Sequence, residues 1–112
     1  MARPKRKKLP AHCIPCEGGV PPLSKKDALE LLELVSGWQL MGSKIDRLFV
    51  FKDFKQSMKF VNRVAALAER EGHHPDIYVF YNKVNLSLFT HEAKGLTEND
   101  FIMAAKINSV TD

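Results

Sequence analysis

From Ser24 to Val35 the chain reads SKKDALELLELV, with leucines at 29, 31, 32 and 34 in one apolar stripe and Asp27 three residues after Ser24. A serine followed at that distance by an acid resembles a capping box, and the spacing predicts a first helix over residues 25–35. The period then changes. WQLM and KIDRLFVFK, rich in β-branched and aromatic residues, flank Gly42-Ser43 and predict a hairpin. DFKQSMKFVNRVAALAEREG returns to helical spacing: Phe54, Met58, Val61, Ala65 and Ala68 fall three and four apart, between Asp53 as N-cap and Gly72 as C-terminal cap, for a second helix over 54–71. DIYVFYNKVNLSLFTHE predicts a second hairpin turning at Asn82-Lys83. GLTENDFIMAAKINSV predicts a third helix, with Thr97 as N-cap, Asp100 at N3, and Phe101, Ala104, Ala105 and Ile107 inward. The order α-β-β-α-β-β-α implies an α+β fold: a four-stranded antiparallel sheet with three helices on one face. The other face would be left partly bare, with apolar groups such as Phe89 among polar ones, and oligomerisation is one way to cover it.

Composition narrows the class. At 112 residues, 45% hydrophobic and 27% charged, the chain is expected to be one soluble globular domain over residues 24–112, preceded by a Cys/Gly/Pro-rich basic arm over 1–23. The formal charge of +4 resides in that arm: Arg3, Lys5, Arg6, Lys7 and Lys8 are five of the 17 basic residues. Without them, 12 basic residues face 13 acidic ones, so the body is nearly neutral and direct nucleic-acid binding would rest on the tail alone. No apolar stretch approaches the ~18 residues of a membrane span and no export-type apolar region follows the basic start, so a cytoplasmic protein is expected. Cys13 and Cys16 form a single CxxC beside His12. Two thiols supply half of a structural zinc site, and Pro15, Gly18, Gly19, Pro21 and Pro22 mark irregular chain instead of the strand and helix of a thioredoxin-like site. A pair of reduced cysteines in an arm is the expectation.

The chemistry gathers after the second helix, at HHPD, residues 73–76. Pro75 keeps His74 out of the α region, and extended neighbours send their side chains to opposite sides, which makes His73 and His74 poor joint ligands for one ion. Imidazoles titrate near neutrality, so the pair suits general acid/base work at the mouth of a cleft. The alternation in VNLSLFTH puts Val84, Leu86, Leu88 and Thr90 on one face, and Asn85, Ser87, Phe89 and His91 on the other, less hydrophobic one. His91 then falls at a strand end, where loops converge. Asp100 has a structural role at the start of the third helix, and the same carboxylate can orient a nearby imidazole.

Those residues carry a resemblance. EREGHHPDIYVFYNKVNLSLFTHEAKGLTEND is similar to the signature of the pterin-4a-carbinolamine dehydratases, with Glu69, His73, His74, Pro75, Tyr81, His91 and Asp100 at the family's fixed positions. The resemblance implies a hydro-lyase that converts 4a-hydroxytetrahydropterin to quinonoid dihydropterin and water, with no metal or cofactor, in the recycling of a tetrahydropterin used by an aromatic amino-acid hydroxylase. By the same analogy His73 and His91 would be the acid/base pair, His74 would hold the substrate and assist, and Asp100 would support the site electrostatically. Pro75, Thr90, His91, Glu92 and Ala93 would line the pterin pocket with His73 and His74. The resemblance further implies a homodimer or homotetramer. It also brings an alternative, a non-enzymatic module acting as a dimerisation cofactor for a transcription factor. Tyr81, as a strand aromatic, is expected to pack in the core.

Overall fold

The computed structural model describes residues 9–14 and 20–111. The basic tail and Pro15, Cys16, Gly18 and Gly19 of the arm lie outside the described residues. Three helices and four strands follow the expected order: α1 (Lys25–Leu32), β1 (Gln39–Met41), β2 (Lys44–Val50), α2 (Phe54–Glu71), β3 (Asp76–Phe80), β4 (Lys83–Leu88) and α3 (Glu98–Ser109). The strands form one antiparallel sheet in the order β1-β2-β4-β3. No helix among the described residues is long and apolar enough to cross a membrane.

Alternation along the strands decides which face the helices cover. Ile45 and Phe49 of β2 and Val84, Leu86 and Leu88 of β4 are buried, and they meet Leu31 of α1, Phe60, Val64 and Leu67 of α2, and Phe101 and Ile107 of α3. Burial of these side chains is the main stabilising term, roughly 1.5–3 kcal/mol for each large one. Arg47 also faces the helices. It stacks over Phe49 at 4.4 Å, donates to the Ser36 carbonyl at 3.0 Å and reaches Asn108 Oδ1, which ties β2 to the end of α3. The opposite face keeps Met41, Leu48, Val50, Tyr78 and Phe80 exposed among Lys44, Asp46 and Asn85.

Three local expectations differ from the structure. The first helix ends at Leu32, and the bonds Leu34 N–H to Leu31 O and Val35 N–H to Leu32 O tighten its exit into 3₁₀-type turns that carry Val35 into the core. In α2 the buried stripe is Ser57, Phe60, Val64, Leu67 and Ala68, whereas Phe54 and Ala65 are exposed. Both stripes have helical spacing. The one carrying Phe60 wins because that ring packs against Phe49 at 4.7 Å and Phe51 at 5.0 Å. The second hairpin turns at Tyr81-Asn82, one residue early, because Phe80 pairs with Lys83. Tyr81 therefore sits in the turn at φ 51°, 64% exposed and stacked on Phe54, and not in the core.

Candidate active site

Gly72 ends α2 at φ 67°, a left-handed conformation that glycine adopts without strain, and its N–H returns to the Ala68 carbonyl. The chain is thereby turned off the helix axis and places His73 beside the start of α3. There the His73 Nε2–H donates to Asp100 Oδ1 at 2.6 Å. Asp100 is fully buried, and two further donors meet its other oxygen: the Thr90 hydroxyl at 2.7 Å and the Thr97 N–H at 3.0 Å. A buried carboxylate is costly unless paired and hydrogen-bonded, and this one is supplied on both oxygens. Because the Thr90 hydroxyl spends its proton on Asp100, the Thr97 hydroxyl donates to Thr90 at 2.9 Å. The Thr97–Asp100 bond is the return half of a capping box. One side chain thus starts a helix and fixes an imidazole. With Nε2–H committed to Asp100, Nδ1 is the ring atom of His73 left to exchange a proton.

Thr90 is held by its own backbone. Its N–H and carbonyl pair with Gly95 across a bridge at 3.0 and 3.3 Å, spanning a 3₁₀ turn at His91–Ala93. A Cβ on Gly95 would come within 2.7 Å of Pro22, so only glycine allows this close approach. His91 is the first residue of that turn. It is exposed, and its ring meets Phe89 edge-on at 5.0 Å. His74 is also exposed, on the far side of the extended segment from His73 as alternation requires, and pairs with Glu69 at 2.6 Å.

A recess of about 190 Å³ opens at the dyad, lined by Cys13, Ile14, Glu71, His73, Thr90 and Glu92 together with Gly72 and Asn99. The structure so brings together His73, Asp100, Thr90 and Glu92 of the expected site. Ala93 is buried and Pro75 half-buried, and these two stand outside the lining, as do His74 and His91. A larger groove of about 610 Å³ along Pro22, Ala28, Leu29 and Leu40 has no histidine or carboxylate in its lining.

The side of the recess made by the arm is not legible in the sequence pattern. Glu71 accepts from the Cys13 N–H at 2.8 Å and pairs with His12 Nδ1 at 2.9 Å, with Lys106 Nζ at 3.7 Å. The Cys13 N–H bond, then the His12 bond, lower its carboxyl from 4.5 to about 2. Burial and then the charge of Glu71 push the Cys13 thiol up to about 12. A signal for Glu71 existed: a carboxylate on the last residue of a helix faces the negative end of the dipole and needs a compensating partner.

Comparison with known proteins decides the family. The model for pterin 4 alpha carbinolamine dehydratase matches residues 21–110. The chain belongs to that family. Homologues named for pterin-4-alpha-carbinolamine dehydratase in Nitrosomonas eutropha and Nitrosospira multiformis are 53% and 49% identical to it, over 86% and 88% of both chains. Of solved structures, a transcriptional coactivator/pterin dehydratase from Brucella melitensis superposes with a TM-score of 0.77 at 36% identity, covering 81% of this chain and 99% of that one. A pterin dehydratase-like RuBisCO assembly factor of the alpha-carboxysome superposes at 0.56 with 25% identity, covering 66% and 86%.

Proposed function

We propose that the protein dehydrates 4a-hydroxytetrahydropterin to quinonoid dihydropterin by histidine general acid/base catalysis. The observation that carries this is the His73–Asp100 pair, at 2.6 Å, opening onto a recess. In the reaction an acid protonates the C4a hydroxyl, and the C–O bond breaks with its electron pair leaving as water. The adjacent ring nitrogen supplies the pair for the new C=N bond, and a base takes that nitrogen's proton. Both transfers suit groups that titrate near working pH. His73 and His91 are assigned the two transfers and Asp100 the support of His73. His74 holds the substrate, and Pro75, Thr90, Glu92 and Ala93 form its surroundings. The reaction uses no metal or cofactor, takes place in the cytoplasm, and serves tetrahydropterin recycling for an aromatic amino-acid hydroxylase, with the protein acting as a homodimer or homotetramer.

The test is a stopped-flow absorbance assay on freshly generated 4a-hydroxytetrahydropterin. His73→Ala and His91→Ala are each expected to lower turnover by about 10²-fold or more. His73→Gln, which can still donate to Asp100, separates proton transfer from the support of the carboxylate: it should stay folded and be equally slow. Full activity in the histidine variants would overturn the assignment. A second reading, a coactivator that binds a transcription factor, is favoured by the name of the Brucella relative. It predicts a partner interaction that survives His73→Gln.

A further inference from the structure

The arm docks on the two turns of chain that build the dyad. Glu71, which holds the Cys13 N–H and His12, lies two residues before His73. Asn99, which directly precedes Asp100, grips Ile14 at two points: its Oδ1 accepts from the Ile14 N–H at 2.9 Å and its Nδ2 donates to the Ile14 carbonyl. The Cys13 thiol adds a contact to the Asn99 carbonyl at 3.6 Å. A side-chain amide that pairs with both backbone groups of one residue fixes the direction of that segment, and Asn99 is itself buried. The result is that Cys13 and Ile14 line the same recess as His73, Thr90 and Glu92. Ile14 is 68% exposed, a large apolar side chain that lines this recess and also a neighbouring groove with Val20, Pro21 and Leu23.

We propose that the segment His12–Ile14, latched by Asn99 and Glu71, is the second wall of the substrate site, and that Ile14 covers one face of the bound heteroaromatic ring. This rests on the dehydratase reading for the identity of the ring. A planar ring bound between the two walls buries Ile14, and the latch holds that side chain in place before the substrate arrives, so the ordering cost is met by the fold and not by binding. The wall acts on retention of the substrate and takes no part in proton transfer. Its removal lowers the affinity of ground and transition states together, which appears in KM and leaves kcat in place.

The experiment uses the full chain, with Ile14→Ala and Asn99→Ala compared with the parent in the carbinolamine assay. Each should raise KM by about 10-fold, the scale of a lost apolar contact, with kcat within about 2-fold. A lower KM would show that the arm obstructs the site, and an unchanged one that it is no wall; either overturns the proposal. A second readout does not depend on turnover. In a Cys16→Ser chain, the rate at which Cys13 reacts with a disulfide reagent reports docking, and Asn99→Ala should speed it by about 10-fold while biopterin, added as the probe, should slow it in the parent. If biopterin leaves the rate unchanged, the ring does not seat against the arm and the proposal fails. If the carbinolamine is not turned over but biopterin still protects Cys13, the dehydratase reading fails and the wall stands.

Discussion

Cys13 and Glu71 show how one contact ties two titrations to the position of a segment. The docked thiol keeps its proton up to about 12 against an ordinary 9.0, mainly because burial disfavours the thiolate and next because Glu71 is negative. A group whose folded value is raised stabilises the docked form fully below 9.0 and loses that contribution as pH climbs toward about 12. Glu71 works in the opposite sense: its value is lowered from 4.5 to about 2, so its contribution is complete above 4.5 and vanishes as pH falls toward about 2. Docking is therefore expected to persist between those limits, as amide exchange at Cys13 would register by its protection across the range. At pH 8 the Cys13 thiol of a Cys16→Ser chain should alkylate well below the rate of a free thiol. Glu71→Gln should bring its titration part of the way back, because the desolvation remains; no change in the alkylation profile would remove Glu71 from the account. The site residues divide along the same line. His73 and Asp100 were singled out by the signature and by the start of the third helix, and the structure brings them together, whereas the grip of Asn99 on Ile14 depends on a fold-back across 85 positions that no local pattern encodes.

At the scale of elements, the caps were the most legible features and the faces the least. Ser24, Asp53, Gly72 and Thr97 each end or start a helix as their side chains or lack of one dictate. The apolar stripe of α2 was not decided by spacing, since Phe54, Met58 and Val61 compete with Phe60, Val64 and Leu67 at the same period. Tertiary contact settles it: Phe60 is 3% exposed between Phe49 and Phe51, and Phe54 is 50% exposed beside Tyr81. The contrast is measurable by chemical denaturation. Phe60→Ala should cost about 3–5 kcal/mol through lost burial and a cavity, and Phe54→Ala less than about 1 kcal/mol, as for an exposed position. Equal losses would mean that the other stripe faces the sheet. The hairpin turn moved for a related reason. Pairing of Phe80 with Lys83 keeps Val84, Leu86 and Leu88 inward, and register follows the buried face even where that puts Tyr81 at positive φ.

At the scale of the whole molecule, one side of the sheet is left uncovered among the described residues. Leu48 and Val50 of β2 are 52% and 62% exposed, and Tyr78 and Phe80 of β3 are 48% and 59% exposed; Leu48, Tyr78 and Phe80 line a groove with Lys44, Asp46, Asn85 and Ser87. Scattered apolar side chains are ordinary on a surface, but these share one face of the sheet, on the two strands that flank β4. Asp46 adds a polar mark: its Oδ1 is buried with no hydrogen-bond partner among the described residues. Orphaned buried acceptors are rare because each costs about 1–3 kcal/mol, and a donor from a molecule seated in the groove would relieve this one. A second copy of the chain is the covering expected, in line with the homodimer or homotetramer proposed above. Light scattering after size exclusion should therefore give a mass at least twice that of one chain. The double variant Leu48→Glu with Phe80→Glu places two charges on that face and should shift the mass toward a single chain without unfolding it, since neither side chain belongs to the core. A variant that keeps the parent's mass would move the association to another surface, and the apolar groups of this face would then be available to a different partner.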